Sequence, residues 1–129
     1  MSRNILIVDD STTTRAMVRR IITLCGTAPD NIYEAADGAD GLALLGQNHI
    51  DLVLADLHMP NMGGLEMTQR MQSNPAMKNI PVVIISADPN LEHLEPLKQL
   101  GVRGHLSKPF TPEGFRNLVG DLLGAQANA

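Results

Sequence analysis

Leu52-Val53-Leu54-Ala55-Asp56-Leu57-His58-Met59-Pro60 opens with a short apolar run that ends on a lone carboxylate. A turn rich in Pro, Asn and Gly follows at once, through Asn61-Met62-Gly63-Gly64. Apolar runs of this length, without alternation, suit strands buried on both faces, as in parallel sheets covered by helices. In an open α/β sheet the ligand site lies just beyond the carboxyl ends of the strands. Asp56 is therefore expected at the mouth of a crevice, and the question becomes what else arrives there.

Ile5-Leu6-Ile7-Val8 is a second such run, and it also ends in acid, Asp9-Asp10. Ser11 or Thr12 offers an N-cap. Met17, Val18, Ile21, Ile22, Leu24 and Cys25 then recur with helical period, while Arg15, Arg19 and Arg20 form a solvated face, and Gly26 stops the helix. A short strand over Ile32–Ala35 precedes a helix capped by Asp37, with Leu42, Leu44 and Leu45 inward, weakened by Gly41 and ended by Gly46. After the Asp56 strand a helix runs from about Gly64 to Gln72, with Leu65, Met67 and Met71 inward. Ile80–Ser86 is the most emphatic strand, with Pro81 tolerated at its entrance. Leu91–Leu100 has helical spacing interrupted by Pro96, so a short, kinked or split helix is expected. Val102–Leu106 makes a last strand, and Thr111 caps a final helix with Phe115, Leu118, Val119, Leu122 and Leu123 inward. Strands and helices alternate throughout, which predicts an α/β fold: a doubly wound parallel sheet of five strands with helices on both faces.

The chain has 129 residues, with 43% apolar and 19% charged, as expected of one ordinary globular domain spanning 1–129 with no linker or repeat. A net charge of -4 argues against nucleic-acid binding, which needs a clustered basic surface. The single cysteine, Cys25, excludes an internal disulfide and suits a reducing compartment. No stretch approaches a membrane span and no signal peptide is visible, so a cytoplasmic protein is expected.

At the crevice, the first strand delivers Asp9 and Asp10, the third Asp56 and the fourth Ser86, and Lys108 follows the fifth. Carboxylates this close repel by about 4 kcal/mol per pair at 4 Å and an effective dielectric near 20. Either some are protonated or a cation sits among them. Hard oxygen ligands with room for water suit Mg²⁺ better than Zn²⁺. Ser86 and Lys108 supply a hydroxyl and a point charge for a tetrahedral anion, so the group as a whole points to phosphoryl transfer onto Asp56.

Asp9-Asp10, the Asp56-Leu57-His58-Met59-Pro60 segment with Gly63-Gly64 behind it, Ser86-Ala87 and Lys108-Pro109-Phe110 together resemble a response-regulator receiver domain of the stand-alone CheY-like kind. The resemblance runs from Asn4 to about Leu123. It implies a flavodoxin-like sheet with strand order 2-1-3-4-5. It implies that Asp10, Asp56 and the main-chain carbonyl of His58 ligate Mg²⁺, with Asp9 acting mostly through water. It implies transfer from a phosphohistidine of a histidine kinase or histidine phosphotransfer protein to Asp56, with Lys108 and Ser86 binding the phosphoryl oxygens. A cis Lys108-Pro109 peptide would aim the lysine inward. Ser86 would then move, remodelling the face made by the fourth helix, fifth strand and fifth helix, where a downstream protein binds. His58 and Asp88, two residues past Asp56 and Ser86, would tune loss of the phosphate. The resemblance further implies a monomeric signalling protein with no output domain, not an enzyme acting on other substrates, in chemotaxis or another pathway. A phosphate shuttle or sink in a multistep relay is the alternative.

Two departures stand out. The family often has Tyr or Phe three residues before the lysine as a rotameric switch, where this chain has His105, either a half-exposed strand residue or a pH-sensitive switch. Pro96 falls in the helix expected to relay the signal. Among rivals, a Mg²⁺-dependent phosphohydrolase of the haloacid dehalogenase type needs an acid where His58 stands. A flavodoxin-type carrier would place an FMN phosphate against Asp9-Asp10, with only Tyr33, Phe110 and Phe115 to flank a flavin. A pseudo-receiver would lack phosphorylation residues that are all present here. His49, His58, His93 and His105 lack the spacing of a zinc site.

Overall fold

The structure is a computed structural model, and it describes residues 3–24, 29–86, 102–107 and 111–118. Its elements run β1 (Asn4–Val8), α1 (Thr12–Leu24), β2 (Asn31–Ala35), α2 (Gly38–Gln47), β3 (Leu52–Asp56), α3 (Gly64–Gln72), β4 (Val82–Ser86) and β5 (Val102–Ser107). A further helical segment occupies 112–118. The strands form one parallel sheet in the order β2-β1-β3-β4-β5, the doubly wound arrangement of flavodoxin-like proteins. The expected residues Cys25, Gly26, Val119, Leu122 and Leu123, and the helix around Pro96, lie outside the described residues.

Both faces of the sheet are covered. On one, Leu6, Val8, Val53, Ala55 and Ile84 pack against Leu45 of α2 and Met67 and Met71 of α3. On the other, Ile5, Ile7, Leu52, Leu54, Val83 and Ile85 pack against Val18, Ile21 and Ile22 of α1 and against Phe115. Burial of both faces explains why these strands read as unbroken apolar runs. The N-terminal rim of the sheet is tied by polar groups. Buried Asn4 donates through Nδ2 to the His49 carbonyl at 2.6 Å and accepts from Asn31 at 3.1 Å, while its amide donates to Asp51 at 2.7 Å.

Three expectations about the helices are corrected. Met17 and Leu24 are exposed on α1, at 38% and 62%, because Val18, Ile21 and Ile22 already fill the narrow contact with the sheet. On α3, Leu65 points outward and Thr68 inward. The Thr68 hydroxyl donates to the Gly64 carbonyl at 2.7 Å, which satisfies it in an apolar setting. Gly46 does not end α2, which continues to Gln47 and closes on Asn48. Gly41 is more than a weak point in that helix. A Cβ there would stand 3.1 Å from Met67 Sδ and 3.2 Å from Val8 Cγ2, so its bareness lets α2 approach β1 and α3.

Candidate functional site: an acidic crevice at the strand ends

The carboxyl ends of β1 and β3 are adjacent, with Val8 paired to Ala55. The next residue on each, Asp9 and Asp56, is therefore carried to the same rim. Asp9, Asp10 and Asp56 each offer a carboxylate oxygen, and these oxygens lie within 4.8 Å of one another. Asp9 is buried, Asp56 half-buried and Asp10 exposed, so the cluster opens from the sheet edge to solvent. At this spacing ionised carboxylates repel by at least about 3 kcal/mol per pair at an effective dielectric near 20. An all-carboxylate donor set open to water fits a hard divalent cation such as Mg²⁺, for which Asp9, Asp10 and Asp56 offer the available oxygens.

Local bonding shapes the rim. The Asp9 carboxylate accepts from the Ser11 amide at 2.8 Å, and Ser11 Oγ accepts from the Thr14 amide at 3.2 Å, capping α1. The His58 amide stands 3.5 Å from Asp56 Oδ1, a weak contact, and the His58 side chain is exposed. Ser86 is buried at the end of β4, one residue past Ile85, the partner of Asp56. His105 pairs with Ile84, so alternation along the strands puts it on the sheet face of Ser86, one step back from the rim. It is half-buried. Lys108, Pro109 and Asp88 lie outside the described residues.

Gly63 and Gly64 bring α3 against the end of β3. A Cβ on Gly63 would lie 2.8 Å from the Leu57 carbonyl oxygen, and one on Gly64 2.5 Å from that of Asp56. The Gly64 amide donates to Leu57 at 3.1 Å.

Arg15 and Arg19 correct the expectation of a merely solvated basic face. Arg15 Nε donates to Glu34 at 3.1 Å, Arg19 Nη2 donates to the same carboxylate at 2.7 Å, and Arg15 Nη1 donates to the main-chain carbonyl of Asp9. The Arg19 hydrogen bond, helped by Arg15 against the cost of partial burial, holds the Glu34 carboxyl below the usual glutamate range. These arginines recur at an i, i+4 spacing that flags a shared partner, but the partner sits on β2, where only the fold brings it. Arg20 stays exposed, as expected.

Comparison with known proteins agrees with this architecture. Residues 5–120 match the family model described as response regulator receiver domain. The chemotaxis protein CheY-3 of Vibrio cholerae is 36% identical over 107 residues, covering 83% of this chain and 81% of that one. A chemotaxis CheY homolog of Campylobacter jejuni is 28% identical over 121 residues, covering 93% and 92%. Among solved structures, the chemotaxis response regulator CheY4 of V. cholerae superposes with a TM-score of 0.83 at 28% identity, over 95% of this chain and 99% of that one. With a family match over nearly its whole length and the acidic crevice at the expected strand ends, the chain belongs to the response regulator receiver domain family, of the CheY-like kind used in two-component signalling.

Proposed function

We propose that residues 1–129 act as a phosphoacceptor switch, with Asp56 taking a phosphoryl group from a phosphohistidine of a histidine kinase or phosphotransfer protein. The observation that carries the reading is the convergence of Asp9, Asp10 and Asp56 within 4.8 Å on the rim that Ser86 shares. An Asp56 carboxylate oxygen attacks phosphorus, a P–O bond forms, the P–N bond to the donor imidazole breaks, and that imidazole leaves with a proton. Mg²⁺ bound by Asp9, Asp10, Asp56 and the His58 carbonyl would neutralise charge on the incoming phosphoryl oxygens. The Ser86 hydroxyl donates to a phosphoryl oxygen, and Lys108 pairs with another.

Engagement of Ser86 is then read out on β5 and the helices beside it, and a downstream protein binds there. His105 shares the sheet face of Ser86 and turns inward with it; partner affinity unchanged in His105→Ala would remove the switch role. His58 and Asp88 set how fast water reaches the acyl phosphate. On this reading the protein catalyses only its own phosphorylation and dephosphorylation.

The test is titration with Mg²⁺ and beryllofluoride, following amide shifts in wild type and Asp56→Asn. Shifts around Asp56, Ser86 and His105 in wild type, absent from the variant, are expected. Identical responses in the two proteins would end the proposal.

A further inference from the structure

The loop that follows Asp56 is gripped from outside β3 by the start of α2. Asn61 is the non-glycine residue with left-handed backbone among the described residues, at φ 64°, a conformation that asparagine tolerates better than most. Its Nδ2 donates to Asp37 Oδ2 at 3.0 Å. The other oxygen of Asp37 accepts from the Asp40 amide at 2.9 Å and caps α2. One residue along on each side, the Gly38 amide donates to the Met62 carbonyl at 2.9 Å. The backbones are so close that a Cβ on Gly38 would lie 2.7 Å from Met62 Cγ and 2.9 Å from that carbonyl oxygen. First the Asn61 amide, then the Asp40 amide, hold the Asp37 carboxyl below the usual aspartate range, so the acceptor is ionised at neutral pH. A helix cap would need one of its oxygens; the second is committed to the loop.

We propose that Asp37 and Asn61 are positioning residues for the cation site: their hydrogen bond sets where the main chain from Asp56 to Asn61, with the His58 carbonyl, stands relative to the three carboxylates. The inference rests on the reading that Mg²⁺ binds there. Neither residue touches the ion. The loop is held at one end by the Gly64 amide on Leu57, and in its middle by this contact with α2. Loosening the middle lets the ligand carbonyl drift, and partners that orient a ligand in this way typically control about 10–100-fold in metal affinity.

The chemistry of the pair allows a swap. Asp37→Asn still caps α2, since Asn and Asp are comparable N-caps, and it can keep the contact, because the Asn61 amide can rotate and accept from it. Asn61→Asp keeps a residue that tolerates the left-handed backbone, but sets a carboxylate against Asp37. The double variant restores a donor and an acceptor with the direction reversed. Mg²⁺ affinity is measured by calorimetry on the intact chain, with amide exchange of residues 58–63 followed in metal-free protein. Asn61→Asp is expected to bind Mg²⁺ about tenfold more weakly and to exchange faster in the loop, and Asp37→Asn to lose less of each. The double variant is expected to recover most of both losses. The Asn61→Asp arm separates positioning from simple charge, because an added negative charge alone would tighten Mg²⁺ binding. Tighter or unchanged binding in that variant, or a double variant no better than the weaker single, overturns the inference while leaving the Mg²⁺ reading intact. A wild type that binds no Mg²⁺ overturns both.

Discussion

Adding one methyl group at Gly64 tests how tightly α3 is fitted to the strand that carries Asp56. The Cβ of an alanine would stand 2.5 Å from the Asp56 carbonyl oxygen and 3.3 Å from Ile84 Cδ1. Ordinary contact begins near 3.4 Å, so the overlap with backbone is about 0.9 Å, and a strand carbonyl cannot rotate away as a side chain can. Forced overpacking of this kind typically costs about 1–3 kcal/mol. The reduced freedom of the unfolded chain returns about 0.4–1 kcal/mol, leaving Gly64→Ala less stable by about 1–2 kcal/mol. Gly46 is the matched control, because it lies inside α2, is exposed, and has nothing within 4 Å of its would-be Cβ. Gly46→Ala should gain up to about 1 kcal/mol from helix propensity alone. Urea denaturation of the two variants and wild type, with a common slope, reads the differences directly. For a chain of this size the Gly64→Ala loss corresponds to a fall in Tm of roughly 3–10 °C. A Gly64→Ala protein as stable as wild type, or a destabilised Gly46→Ala, would refute the reasoning.

Other substitutions probe the remaining links. Phe115→Ala empties a fully buried site against α1 and the sheet, and should cost about 3–5 kcal/mol by the same denaturation assay. Ser11→Ala removes the α1 cap and should cost about 1 kcal/mol, with faster amide exchange at Thr14. The Glu34 carboxyl is depressed below its ordinary 4.5, chiefly by Arg19, so its stabilising contribution is complete above that value and is lost as pH falls through the lower folded value. Glu34→Gln should therefore be less stable than wild type by a constant margin at neutral pH, up to about 1 kcal/mol for so partly exposed a group. That margin should narrow below pH 4.5 in acid titrations followed by circular dichroism; a margin that does not change would mean the arginines leave Glu34 unshifted.

The three central strands β1, β3 and β4 were legible because they are buried on both faces and so must be apolar almost without interruption, as in Ile5–Val8 and Leu52–Ala55. The edge strands β2 and β5 are only partly buried. The acids were legible because a carboxylate directly after such a run marks where the strand reaches the rim, and β1 and β3 reach it side by side, even though Asp9 stays buried there. Leu65 and Thr68 mark where the reading stopped. Residue type assigns the leucine to the core, yet the threonine is inside because its hydroxyl finds the Gly64 carbonyl one turn back.

Composition and apolar periodicity alone determined the layer architecture and the chemical character of the crevice, since both depend on which residues can be dehydrated. What only the tertiary structure decided are the long-range pairings: Arg15 and Arg19 on Glu34, Asn61 on Asp37, and Gly64 against the Asp56 carbonyl. Each joins residues from different elements. Hydrogen-bond direction and close backbone approach are properties of the packed chain, and no local pattern of residue types encodes them.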